Sequence, residues 1–187
     1  MPLPRGLCVL TLIGKKVALL ELDLRMPSLS KQLGVPPGAG ISDYLVAPDK
    51  VSIEDIIRPH RTVPRLFIAS SGSLPPNPAE LMMSHNLAHL ISELKVSFDY
   101  IIIDTAPIGK VADAYSLSSL IDSTIYIVRY NYTTKDQLEL IEDIYRNKKF
   151  VHPMIVLNDA KEDAKHAYGY GYKYGYKKVE KAEVRIS

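Results

Sequence analysis

Several residue types that mark special classes of protein are scarce in this chain. Its one cysteine, Cys8, cannot form an internal disulfide or a metal site of several thiolates, which fits a reducing, cytosolic compartment. Lys and Arg number 23 against 21 Asp and Glu, so the net charge of +2 supplies no basic field and we expect no nucleic-acid partner. No apolar run approaches the roughly 20 residues of a membrane span. We therefore expect no direct span, and any membrane link to come through a partner or through further sequence.

The apolar residues that are present fall into short runs separated by helical patterns. Of the 187 residues, 47% are hydrophobic, which is enough for one globular domain with a real core. Strands are predicted at 17–22, 66–69, 100–103 and 125–128, with a fifth at 154–157. Helices are predicted at 7–13, 41–46, 53–57, 78–95 and 113–121, and from Thr133 or Thr134 to 148. Asn77 is expected to cap the helix that opens at Pro78, and Gly14 to end the first helix. This alternation is typical of an α/β fold with a mainly parallel sheet and flanking helices.

Acidic residues follow two of the predicted strands. Glu21 and Asp23 lie at the end of the strand at 17–22, with Arg25 shortly after, and Asp104 closes the strand at 100–103. Ligands of open α/β sheets bind at the carboxyl ends of the strands, where a carboxylate can hold Mg²⁺ directly or through water. A single acid at such a place can equally be a helix cap or a loop carboxylate. Two acidic strand ends in one sheet favour a site for a metal and a nucleotide.

The end of the chain has a different composition. Apolar periodicity stops at residue 161, and 167–176 read A-Y-G-Y-G-Y-K-Y-G-Y. The sequence therefore predicts a folded unit over 1–160 and a flexible, disordered tail over 161–187. The tail contains five closely spaced tyrosines: Tyr168, Tyr170, Tyr172, Tyr174 and Tyr176. An edge strand or an adhesive low-complexity segment is the alternative, and the glycines disfavour the strand.

Four segments together resemble one protein family. E-L-D-L-R-M-P at 21–27 resembles the second acidic motif of the bacterial tyrosine kinases of the polysaccharide co-polymerase type, and I-I-I-D-T-A-P at 101–107 resembles their Walker B motif. P-P-N-P-A-E-L-M at 75–82 and the tyrosine tail are similar to two further segments of the family, in the same order. The resemblance implies a P-loop NTPase-like fold related to the Min and Par ATPases. The tyrosine cluster separates the chain from those partitioning-type ATPases.

The resemblance also implies a reaction and residue roles. The family transfers phosphate from ATP, with Mg²⁺, to tyrosines in the tails of neighbouring subunits and so controls capsular or extracellular polysaccharide export. Asp23 would be a metal-binding or base-type carboxylate, Asp104 would order the metal through water, and Arg25 would meet phosphate charge. Glu21 stands where the family usually has Asp, and its extra methylene displaces the carboxylate, which weakens its case as a ligand. Asn158 matches a position that contacts the nucleotide base in related ATPases, and a turn residue is the equally weighted alternative.

One expected motif does not occur. A phosphate-binding loop needs G-x-x-x-x-G-K-[ST], and the sequence contains none. The expectation is a chain that begins inside the first helix of a kinase domain, without the P-loop strand, and that binds nucleotide weakly. Two functions stay open: an impaired tyrosine kinase domain, and a catalytically inactive phosphoacceptor. The expected partners are further copies, an intact kinase or the cytoplasmic part of a membrane co-polymerase, with a cytoplasmic location at the inner membrane.

Overall fold

The computed structural model describes residues 5–108 and 112–160. The tail at 161–187, with the five tyrosines of the cluster, lies outside the described residues. Its predicted flexibility therefore stays a prediction.

Six strands form in the described part of the chain, in two sheets. The strands are β1 (Val17–Glu21), β2 (Ile57–Pro59), β3 (Leu66–Ala69), β4 (Tyr100–Asp104), β5 (Thr124–Arg129) and β6 (Pro153–Asn158). In the larger sheet, of order β2-β3-β1-β4, β1 pairs in parallel with β3 and β4. The short strand β2, which the sequence did not predict, pairs antiparallel with β3 at one edge. Strands β5 and β6 form a separate parallel pair. The predicted α/β fold with a mainly parallel sheet is confirmed, and the sheet is divided in two.

Helices cover the larger sheet. They are α1 (Arg5–Leu12), α2 (Leu29–Gln32), α3 (Ile41–Val46), α4 (Ile53–Ile56), α5 (Pro78–Met82), α6 (His85–Ser97) and α7 (Lys135–Arg146), with a 3-10 helix at Ala112–Leu117. Helix α1 ends as predicted, because Gly14 takes the left-handed backbone with φ of 85° that glycine tolerates. None of the helices in the described ranges has the length and apolar character needed to cross the hydrocarbon core of a membrane.

The prediction of one continuous helix at 78–95 is wrong, because α5 and α6 are two separate helices. Ser84 begins α6: its Oγ accepts a hydrogen bond from the Leu87 N–H at 3.3 Å and donates to the Leu81 carbonyl at 2.8 Å. Ser84 therefore ends α5 and begins α6, although the apolar spacing continues across it. Asn77 lies at the predicted N-cap position of α5, but its side chain donates to Glu80 Oε2 at 2.6 Å and accepts no cap hydrogen bond.

The core lies on both faces of β1, whose five residues are all buried. On one face Ala18 and Leu20 pack with buried residues of α3, α5 and α6. On the other face Val17 and Leu19 pack with β3, and partly buried residues of α1 and α2 cover them. Burial of each large aliphatic side chain stabilises the fold by about 1.5 to 3 kcal/mol. The fold therefore holds the end of β1, where the acids lie, on a rigid base.

The smaller sheet is covered less completely. Helix α7 buries Ile141 and Ile144, the latter in a small cluster against which Tyr126 packs. Six apolar side chains of β5 and β6 remain 47% to 65% exposed, and two of them, Ile155 and Leu157, alternate with the others along β6. The remaining four form what we term the open face: Ile125, Ile127, Met154 and Val156. Ile125 pairs with Met154 and Ile127 with Val156, so all four side chains project from the same side of the sheet. No element of the described residues buries this face.

Candidate functional site

The pairing of β1 with β4 brings the two acidic segments together. Glu21 is the register partner of Asp104, and the Leu22 N–H continues the ladder by donating to the Asp104 carbonyl at 2.8 Å. Asp23 follows two residues beyond Glu21. The two acidic strand ends therefore lie at one edge of the larger sheet, as the sequence predicts.

Glu21 is the most enclosed of these acids, with no exposed surface. Its Oε1 accepts a hydrogen bond from the Ser30 N–H and its Oε2 one from the Ser71 N–H, both at 3.2 Å. Burial alone would raise the pKa of Glu21, but hydrogen bonds from Ser30 and Ser71 outweigh it and hold the pKa below its ordinary value. Both oxygens of Glu21 are therefore engaged by backbone N–H groups.

Asp23 is half-buried and shapes the turn that follows it. Its Oδ1 accepts hydrogen bonds from the Arg25 N–H at 3.3 Å and the Met26 N–H at 3.0 Å. No donor of the described residues reaches its Oδ2 within hydrogen-bond distance. One oxygen thus fixes the turn, and the other can accept a cation or a proton. Arg25 lies exposed in the same turn.

Asp104 has the opposite electrostatic environment to Glu21. Partial burial, together with the negative charges of Glu21 and Asp23, raises the pKa of Asp104 above its ordinary value. A divalent cation would relieve this repulsion. In the described part of the chain no group of three or more His, Cys, Asp and Glu side chains has the arrangement of a metal site. One or two carboxylates can hold Mg²⁺ together with substrate phosphates and water, and this role of Asp23 and Asp104 stays a prediction.

Asn158 lies in a different sheet from these acids. It ends β6 in the smaller sheet, where its carbonyl accepts from the Tyr130 N–H at 3.0 Å. The next residue, Asp159, has a positive φ of 58° and accepts from the Arg129 guanidinium at 3.0 Å. Asn158 is therefore at the carboxyl end of a parallel strand, as predicted, and it directly precedes a turn. The proposed contact with the nucleotide base stays a prediction.

Asp43 also holds two backbone N–H groups with its carboxylate, as Glu21 does, and the sequence analysis did not predict this. Asp43 Oδ2 accepts from the Gly40 N–H at 2.8 Å and the Ser73 N–H at 3.2 Å. Burial would raise the pKa of Asp43, and these hydrogen bonds outweigh it and lower the pKa. The two chain segments cross so closely that a side chain on Gly40 would fall within 2.5 Å of the Gly72 Cα. The small residues around Gly40 and Gly72 are the only sequence signal for this crossing, which fixes the loop after β3.

Comparisons with known proteins find similar sequences. The chain is 34% identical over 139 residues to a "Putative tyrosine-protein kinase in cps region" of Klebsiella pneumoniae, across 74% of this chain and 19% of that protein. It is also 34% identical over 124 residues to "Tyrosine-protein kinase YwqD" of Bacillus subtilis, across 66% of this chain and 51% of that protein. The chain thus spans between about a fifth and a half of the length of these two relatives. No protein-family model matches the sequence.

Solved structures of tyrosine kinase domains are also similar to this chain. The kinase domain of the Escherichia coli tyrosine kinase ETK matches with a TM-score of 0.75 and 25% identity, over 88% of this chain and 64% of that one. MinD from Pyrococcus horikoshii, solved with Mg-ADP, matches in fold with a TM-score of 0.61 and 22% identity, over 80% of this chain and 60% of that one. The described residues therefore have the fold shared by these kinases and MinD.

Proposed function

This chain belongs to the bacterial tyrosine-protein kinases, and we propose that it supplies the acidic part of a phosphoryl-transfer site together with the tyrosines that accept the phosphate. The observation that carries the proposal is the pairing of β1 with β4, which puts Glu21 opposite Asp104 and Asp23 beside them. Acidic side chains at this edge of a parallel sheet are what a site for Mg²⁺ and ATP requires.

The proposed reaction moves the γ-phosphoryl group of ATP to a tyrosine of the cluster. The bond from the γ-phosphorus to the β,γ-bridging oxygen breaks, a bond to the phenolic oxygen forms, and the phenolic proton leaves. Bound Mg²⁺ would neutralise the charge on the phosphates. Asp23 Oδ2 would accept the proton or hold the metal, Asp104 would order the metal through water, and Arg25 would meet the negative charge of the phosphates.

The absence of G-x-x-x-x-G-K-[ST] from the 187 residues favours a second role. Backbone N–H groups and the lysine of such a loop make most of the contacts with phosphate in P-loop proteins. We therefore propose that this chain alone binds ATP weakly and has impaired kinase activity. It would serve as a phosphoacceptor and interaction partner of an active kinase of the same family.

The cellular role that we propose is control of capsular or extracellular polysaccharide synthesis and export. The name of the Klebsiella pneumoniae relative, which places it in a cps region, supports this role. The site would lie in the cytoplasm at the inner membrane, held there by the cytoplasmic part of a membrane co-polymerase. Further copies of the chain or subunits of an intact kinase are the proposed substrates and partners.

Intact-mass spectrometry after incubation with Mg-ATP tests both roles. The chain is assayed alone and with an active kinase of the family, next to a variant with all five cluster tyrosines changed to Phe and the variant Asp104→Asn. Phosphate on the chain alone, lost in Asp104→Asn, would establish autophosphorylation. Phosphate only with the added kinase, retained in Asp104→Asn and lost in the Phe variant, would establish the acceptor role. No phosphate in either reaction would overturn both proposals.

A further inference from the structure

A single buried carboxylate joins three segments at the edge of the larger sheet. Glu21 is the last residue of β1, and its two oxygens hold the N–H groups of Ser30, at the start of α2, and Ser71, after β3. Ser30 and Ser71 are nine and 50 positions away in the sequence. The two hydrogen bonds satisfy a carboxylate with no exposed surface, and leaving such a buried group unsatisfied is costly. This contact is therefore a principal constraint on how the segments meet.

The hydrogen bond to Ser30 closes a loop that carries the proposed chemistry. Residues 22–29 leave β1 and return to α2, and they include Asp23 and Arg25. Within this loop the Asp23 carboxylate holds the Arg25 and Met26 N–H groups. Glu21 therefore fixes both ends of the loop. Its backbone, in β1, holds the start, and its side chain holds the end at Ser30.

We propose that Glu21 is a positioning residue, which holds the 22–29 loop so that Asp23 and Arg25 face the site, and that it is not a metal ligand. The inference rests on the proposed function for the roles of Asp23 and Arg25, whereas the clamp itself rests on geometry alone. Both oxygens already serve N–H groups, so binding a metal would require release of Ser30 or Ser71.

The length of the side chain explains why glutamate occupies this position. Both hydrogen bonds are 3.2 Å long, near the upper end of ordinary N–H···O distances. Aspartate would withdraw the carboxylate by about 1.5 Å, one carbon–carbon bond, and could not reach both N–H groups from the same backbone. The extra methylene of Glu21, which disfavours metal binding, is what lets its carboxylate reach both the Ser30 and the Ser71 N–H groups.

Amide hydrogen exchange measured by NMR on the full chain, without nucleotide, tests the inference. In the wild type the Ser30 and Ser71 amides should exchange as slowly as amides of β3. In Glu21→Asp they should exchange about 10- to 100-fold faster, the range expected for loss of a hydrogen bond to a charged acceptor. Exchange of the Arg25 and Met26 amides should also become faster, because the 22–29 loop is no longer held by the hydrogen bond between Ser30 and residue 21. Glu21→Gln keeps one acceptor oxygen and should release only one of the two serine amides.

Asp43→Asn is the matched control, because Asp43 clamps a neighbouring crossing through Gly40 and Ser73. It should accelerate exchange at one or both of those amides and leave Arg25 and Met26 unchanged. Unprotected Ser30 and Ser71 amides in the wild type would overturn the clamp, whether or not any variant folds. Unchanged Arg25 and Met26 amides in Glu21→Asp would overturn the positioning role. Because no ATP is present, failure of the phosphorylation experiment would leave this result intact.

Discussion

The three carboxylates at the ends of β1 and β4 differ in how their charge is compensated. Glu21 has a backbone N–H on each oxygen, and Asp23 has two on Oδ1. Asp104 has the charges of the other two acids nearby, and no hydrogen bond to its carboxylate joins it to another described residue. At the scale of single residues, Asp104 is therefore the acid that destabilises the fold when it ionises.

This difference predicts a pH-dependent effect of Asp104→Asn. Because the folded-state pKa of Asp104 is raised, its contribution to stability is present below the ordinary carboxyl pKa and is lost as pH rises through the raised value. Asp104→Asn should therefore raise the free energy of unfolding at pH 7, by less than about 1 kcal/mol because Asp104 is only partly desolvated and solvent screens its exposed surface. The gain should shrink towards pH 4.

Urea unfolding at the two pH values measures this gain. A gain for Asp104→Asn that is equal at both pH values would contradict the prediction.

At the scale of elements, the division between α5 and α6 shows how one side chain sets helix boundaries. The apolar positions of 78–95 fit one helix, yet the hydroxyl of Ser84 satisfies a carbonyl of α5 and an N–H of α6. Helix ends leave such groups without partners inside the helix, so a residue that serves both ends stabilises the break. Leu87 and Leu90 of α6 are fully buried, so the position of this break decides which residues enter the core.

Ser84→Ala should lower the free energy of unfolding by about 1 kcal/mol, the usual cost of losing an N-cap side chain. Urea denaturation measures the loss. Ser92→Ala, an exposed change within α6, is the matched control and should be neutral or slightly stabilising because alanine favours helix. Equal stability of the two variants would show that the Ser84 hydroxyl does not determine the break.

At the scale of the whole molecule, the division of the sheet leaves apolar surface uncovered. Strand β1 lies between β3 and β4 with both faces buried, whereas the open face of β5 and β6 has no cover in the described residues. Parallel sheets normally have both faces covered, and exposed apolar patches of more than a few hundred Å² promote association. The open face is therefore a surface of the described residues through which copies of the chain can associate.

Ile127→Lys should reduce self-association, because it places a charge in the centre of the open face at a side chain that is 65% exposed. Analytical ultracentrifugation over a range of protein concentrations measures the effect. Val46→Lys, at a comparably exposed side chain at the end of α3, is the control and should behave as the wild type. If both variants associate to the same extent as the wild type, the open face does not drive association.

The sequence by itself determined the strands and the identity of the acids at their ends. Short, continuous apolar runs rich in β-branched residues mark strands, so β1, β3, β4, β5 and β6 lie within a residue or two of their predicted positions. The same local logic placed Asp23 and Asp104 at the carboxyl ends of parallel strands, because it depends only on neighbouring residues.

The tertiary structure alone decided what each carboxylate contacts and how the sheet is divided. The hydrogen bond from Ser71 to Glu21 joins residues 50 positions apart, and the β5–β6 pair is separated from β4 although all three strands share one apolar pattern. Side-chain type gives the capacity for a hydrogen bond, but the partner depends on which loops cross in space. Glu21 holds the Ser30 and Ser71 N–H groups in the folded chain, and its position beside Asp23 in the sequence gave no indication of these partners.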